Sequence, residues 1–102
     1  MHPSIARHRT EISLICRRYR IRRLDVFGSA ARIDDFDLTR SDVDFLVEFA
    51  PDVGVDLDTF FGAKADLEQL LGRDVDLVEA GAIRNPFVLA DIDRSRKLVY
   101  AA

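Results

Sequence analysis

LDVFGSAARIDDFDLTRSDVDFLVEF, residues 24–49, decides how this chain is read. Residues 24–27 are short, apolar and rich in β-formers, and they stop at Gly28, so they predict a strand. Gly28-Ser29 then forms a turn, a polar stretch follows, and residues 43–49 alternate as a second strand. Side chains two apart on a strand share a face. Val43, Phe45, Val47 and Phe49 therefore line one side, while Asp42, Asp44, Leu46 and Glu48 line the other. Two carboxylates, Asp42 and Asp44, stand together where the strand begins. Left alone, such a pair repels, and one acid tends to keep its proton.

Outward from that core the pattern is mixed. Residues 4–20 predict a helix, with Ser4 as its cap and Ile5, His8, Ile12, Ile15, Cys16 and Tyr19 on one face. His8 and Cys16 on that face are read as packing residues rather than ligands. PDVG at 51–54 is turn material, and residues 56–71 predict a second helix that Gly72 stops. VDLV at 75–78 predicts a third strand. Asn85-Pro86 opens another helix that runs to about Arg94, and the closing KLVYAA either adds a short strand or packs down. The fold class is thus α+β (α/β-like), a small mixed β-sheet with helices packed on one side. With 102 residues, 1–102 are read as a single domain with one core.

Composition narrows the function. Apolar residues at 48% and charged residues at 32% exclude a disordered chain. No run is long enough for a transmembrane helix and the N-terminus lacks a secretory core, so the cytoplasm is the expected compartment. One cysteine rules out an internal disulfide or a cysteine-based zinc site. A net charge of −3 argues against general nucleic-acid binding. Arg17, Arg18, Arg20, Arg22 and Arg23 crowd one stretch, but cations at a helix C-terminus oppose its dipole and are read as a solvated face.

The acids carry the chemistry. Asp76 is a charge inside an apolar strand, where it is unwelcome without a task. If that strand lies beside residues 43–49, Asp76 joins Asp42 and Asp44. Three carboxylates suit Mg²⁺ and an in-line phosphoryl displacement. Gly28 gives the turn conformational freedom, and Ser29 offers a hydroxyl, so backbone N–H groups there can cradle phosphate oxygens. Taken singly, each feature has an ordinary reading: a turn, an exposed strand end, an acid balanced by Arg73 or Arg84. The ordered set is far less ordinary than its parts.

LDVFGSAAR at 24–32, SDVDFLVEF at 41–49 and DVDLVEAGAI at 74–83 together resemble the polymerase-β-type nucleotidyltransferase superfamily, in its minimal nucleotidyltransferase (MNT) branch. The resemblance spans nearly the whole chain. It implies phosphate binding at Gly28 and Ser29, metal binding and catalysis by Asp42, Asp44 and Asp76, and ATP with Mg²⁺ as the working pair. Asp76 is implied to help deprotonate the attacking hydroxyl. The segment from Ala30 to Ser41 is longer than is usual in the family, and Ile33 stands where a glycine is common. The resemblance further implies an antitoxin that transfers AMP from ATP to a hydroxyl, a tyrosine of a cognate helical HEPN-domain ribonuclease toxin. A hetero-oligomer with that toxin is expected, without direct nucleic-acid or membrane binding. The alternative is a non-catalytic binding module that neutralises its partner by masking it. A third is a small-molecule nucleotidyltransferase with a dimer interface as acceptor pocket.

Overall fold

Strand alternation sorts the chain into two faces. A computed structural model describes residues 2–31, 42–52 and 54–102, with the side chains of Ser29 and Ala30 outside that set. The elements are α1 (Pro3–Arg7), α2 (Arg9–Arg18), β1 (Ile21–Phe27), β2 (Val43–Phe49), α3 (Leu57–Leu71), β3 (Val75–Glu79), α4 (Pro86–Ser95) and β4 (Lys97–Ala101). Short 3₁₀ turns follow β1 at Gly28–Ala31 and β3 at Ala80–Ala82. The strands lie in the order β3-β2-β1-β4. β1 is antiparallel to both β2 and β4, while β2 and β3 are parallel and joined through α3. A parallel pair needs such a crossover, because no tight turn can reverse the chain direction twice. The result is the expected mixed sheet of an α+β fold.

One face of the sheet holds the core. Leu24 and Val26 from β1, Val43, Phe45 and Val47 from β2, and Val75 and Leu77 from β3 meet Ile5, Ile12, Cys16, Ala63 and Leu67 from the helices. Phe45 is fully buried at the centre of β2, so Phe45→Ala is expected to cost about 3–5 kcal/mol. A urea denaturation curve measures it as a lower midpoint at unchanged slope. Cys16 lies in this core, and burial pushes its thiol up to about 12, so it packs and does not react.

The predicted first helix is two helices. The chain breaks at His8, whose backbone leaves helical angles (φ −99°, ψ 17°) while its Nδ1 donates to the Ser4 carbonyl at 2.7 Å. The break lets Ile5 and Ile12 both reach the core. β1 begins at Ile21 rather than at Leu24, because its early residues find partners in β2 and β4 that local sequence does not show. The closing segment is a true strand, β4, for the same reason. Gly72 ends α3 in the left-handed region, as its position after Leu71 implied. Among the described residues no helix is long and apolar enough to cross a membrane.

Arg18, Arg20, Arg22 and Arg23 of the arginine cluster form ion pairs. Arg18 pairs with Asp66 at 3.1 Å, Arg20 with Asp52 at 2.6 Å, Arg22 with Glu48, and Arg23 with Asp25 at 3.0 Å. The first three pairs are solvent-exposed and contribute little to stability.

Candidate active site

The acids converge by strand register. Asp44 lies directly opposite Asp76 across the parallel β2–β3 pair, and Phe27, the residue before the turn, lies opposite Asp44 on the other side. Neighbouring strands are about 4.8 Å apart, so in-register side chains on one face are neighbours. Asp42 sits two residues ahead of Asp44, exposed, just before β2. Burial raises Asp44 above the ordinary carboxylate range, and the charges of Asp76 and Asp42 raise it further. Asp42 and Asp76 thus both lie near enough to Asp44 to bear on its ionisation. Among the described residues, no ion pair ties Asp42, Asp44 or Asp76 to an arginine or lysine.

The turn reaches the same place. Gly28 has φ +70°, and a Cβ placed there would meet Asp44 Oδ2 at 2.8 Å. The residue must therefore be glycine for two reasons: its backbone is left-handed, and the Asp44 carboxylate occupies the space a side chain needs. The Gly28 N–H does not stand open for a ligand as the sequence suggested; it donates to Ser95 Oγ at 3.0 Å. The Ser29 hydroxyl and the segment 32–41, which contains most of the long loop, lie outside the described residues.

A hard divalent cation suits this donor set. All the candidate ligands are carboxylate oxygens, which Mg²⁺ prefers. Asp44 is held back from ionising by its burial and then by two like charges, a conflict that a cation relieves. Among the described residues no group of three acids, histidines or cysteines is already drawn together as a finished cation site.

A cavity of about 580 Å³ is lined by Asp76, the one of the three acids that reaches it, and by Gly28. Val78, Ile83, Val88 and Ile92 form its apolar walls, and Arg94 and Ser95 come from the last turn of α4. Asp91 and Arg94 pair with each other at 2.6 Å along it. A second hollow, of about 730 Å³, lies around Phe60 and Phe61 and touches none of the three acids.

Sequence reasoning passed over three residues here. Asp25 is 1% exposed, two positions before Phe27, and carries two guanidinium partners, Arg23 and Arg96. Ser95 bonds the turn itself. The readable signal was the charge at position 25 inside an apolar strand, which requires a partner somewhere in the chain.

A small mixed sheet that presents a glycine turn and clustered strand acids on one face defines a nucleotidyl-transfer scaffold. The nucleotidyltransferase domain model matches residues 9–99. The chain belongs to the nucleotidyltransferase domain family and is a nucleotidyltransferase. It is 39% identical over 85 residues to a Methanocaldococcus jannaschii chain named "Putative protein adenylyltransferase", covering 81% of this chain and 79% of that one. A solved structure described as a "putative minimal nucleotidyltransferase" superposes with a TM-score of 0.76 at 31% identity, covering 95% of each chain. The fold is also shared, at 18% identity and a TM-score of 0.67, with a chain of the complex between the tri-AMPylated Shewanella oneidensis HEPN toxin and its MNT antitoxin. That match covers 96% of this chain and 73% of the other.

Proposed function

We propose that this chain is a Mg²⁺-dependent protein adenylyltransferase that transfers AMP from ATP to a tyrosine hydroxyl of a helical HEPN-type toxin and so acts as its antitoxin. The observation that carries the reading is the register of Asp44 against Asp76, one step from the Gly28 turn. Asp42, Asp44 and Asp76 would hold the metal; once bound, the cation supplies charge neutralisation for the triphosphate oxygens. The turn at Gly28 and Ser29 would lie against the phosphates, with the Gly28 N–H itself held by Ser95. Asp76 faces the cavity and accepts the proton of the acceptor hydroxyl. The hydroxyl oxygen then bonds to the α-phosphorus, the bond from that phosphorus to the bridging oxygen breaks, and pyrophosphate leaves. The apolar walls of the cavity suit an aromatic side chain, which favours tyrosine over serine as the acceptor. Kinship with the named adenylyltransferase and the fold shared with a chain of the HEPN toxin–MNT antitoxin complex support the same assignment.

The test is direct. The chain is incubated with labelled ATP, Mg²⁺ and the product of the neighbouring gene. Label is expected on that product, on tyrosine by peptide mapping, and its ribonuclease activity is expected to fall. Equal labelling by Asp42→Asn overturns the mechanism. The alternative is a non-catalytic module that neutralises its partner by masking it. It predicts that Asp44→Asn protects the partner as well as the parent chain does, without nucleotide.

A further inference from the structure

Asp25 is a buried carboxylate that the transfer reaction does not use. Its Oδ1 accepts from Arg23 Nε at 3.0 Å, and its Oδ2 accepts from Arg96 Nε at 2.5 Å. Arg96 is the residue at which α4 gives way to β4, and it also bonds Asp93 at 3.0 Å. One residue earlier, Ser95 Oγ takes the Gly28 N–H at 3.0 Å. Two consecutive residues at the end of α4 are thereby tied to two positions on the strand and turn that carry the phosphate site. Asp25 is buried while Arg96 is partly exposed; an ion pair on a buried carboxylate seldom stabilises more than well-packed apolar residues would, and its best-attested use is to specify one arrangement among several. The arrangement specified here is the approach of α4 to the end of β1. That approach sets both the cavity wall and the position of the turn against Asp44.

We infer that Ser95, with the Asp25–Arg96 pair behind it, is a positioning residue for nucleotide binding: it holds the Gly28 turn against Asp44, where the nucleotide's phosphates would sit. The inference rests on the nucleotidyl-transfer reading of the site. The role of Ser95 is exerted through Gly28, whose N–H donates to its hydroxyl. Removing its hydroxyl leaves the Gly28 N–H without its partner, and the turn is then free to settle elsewhere.

Calorimetric titration of the full chain with Mg²⁺ and a non-hydrolysable ATP analogue tests this, with thermal unfolding run on the same samples. Ser95→Ala is expected to weaken binding about three- to tenfold, the range for one neutral hydrogen bond. Ser95→Thr, which restores an acceptor oxygen, is expected to bind within about twofold of the parent. Amide exchange at Gly28 should be slow in the parent and the threonine variant and fast in the alanine variant. A merely structural role would lower the unfolding midpoint of Ser95→Ala and leave the affinity of the folded chain unchanged, and that result overturns the inference. Should Ser95→Ala fail to fold, Arg96→Lys carries the same comparison, with several-fold weaker binding expected and unaltered affinity overturning the inference. A parent chain that binds no Mg²⁺–nucleotide overturns the nucleotidyl-transfer reading and the positioning role together. Tight parental binding that is unchanged in Ser95→Ala overturns the positioning role alone.

Discussion

Asp44→Asn is expected to lower nucleotidyl transfer on the order of 10³-fold or more and, at the same time, to make the metal-free protein harder to unfold. The two effects have one cause. Asp44 is half-buried and faces the charges of Asp76 and Asp42, so its carboxyl is raised above the ordinary range. A raised carboxyl binds its proton more tightly in the folded chain than in the unfolded one. Stability of the metal-free protein therefore falls as pH rises from the ordinary aspartate range through the raised value. Asparagine removes that charge and with it the penalty, and an increase in unfolding midpoint of roughly 2–4 °C at neutral pH is expected. Mg²⁺ affinity should run in the opposite direction, strengthening as pH rises through the same window, because the ligand must lose its proton to bind. Differential scanning calorimetry with and without Mg²⁺, at several pH values, reads all three expectations. A variant that is both inactive and less stable than the parent contradicts this account of Asp44.

Gly28→Ala has the second largest expected effect. Two costs act together. A left-handed backbone at φ +70° costs a non-glycine residue about 1–2 kcal/mol. The new methyl would also lie 2.8 Å from Asp44 Oδ2, so the carboxylate must swing away. Misplacement of a reacting group by about 1 Å costs on the order of 10²-fold in rate. The variant should fold, with a midpoint lowered by roughly 4–10 °C, and should lose on the order of 10²-fold in transfer. Gly72→Ala is the matched control: its φ of +68° brings the same backbone strain, but nothing lies within 4 Å of the added methyl. It is expected to lower the midpoint comparably and to leave transfer intact. If the two variants lose activity equally, crowding of Asp44 is not the reason for glycine at 28.

Much of the site was legible because its signals are local. Asp42 and Asp44 were placed on one face by alternation alone, and Asp76 stood out as a charge in an apolar strand. Gly28 was read as a glycine with a special backbone, and its φ is +70°. The partner of its amide, Ser95, lies 67 positions away and is beyond the reach of local pattern. Asp25 and Arg96, 71 positions apart, escaped for the same reason. The helix break at His8 was hidden because the apolar periodicity runs through it without interruption.

Period, turn chemistry and residue type act over a few bonds, and these the sequence alone determined: three of the four strands, most helix ends, the glycine turn and which acids stand on strands. Register and pairing partner are set between segments distant along the chain, where burial of one whole face selects a single alignment from several. Only the tertiary structure decided that Asp44 stands opposite Asp76, that the last five-residue strand closes the sheet against β1, and that Ser95 holds the turn. A slip of one residue between β2 and β3 would leave every local pattern intact and carry Asp76 to the opposite face, because strand side chains alternate with a period of two.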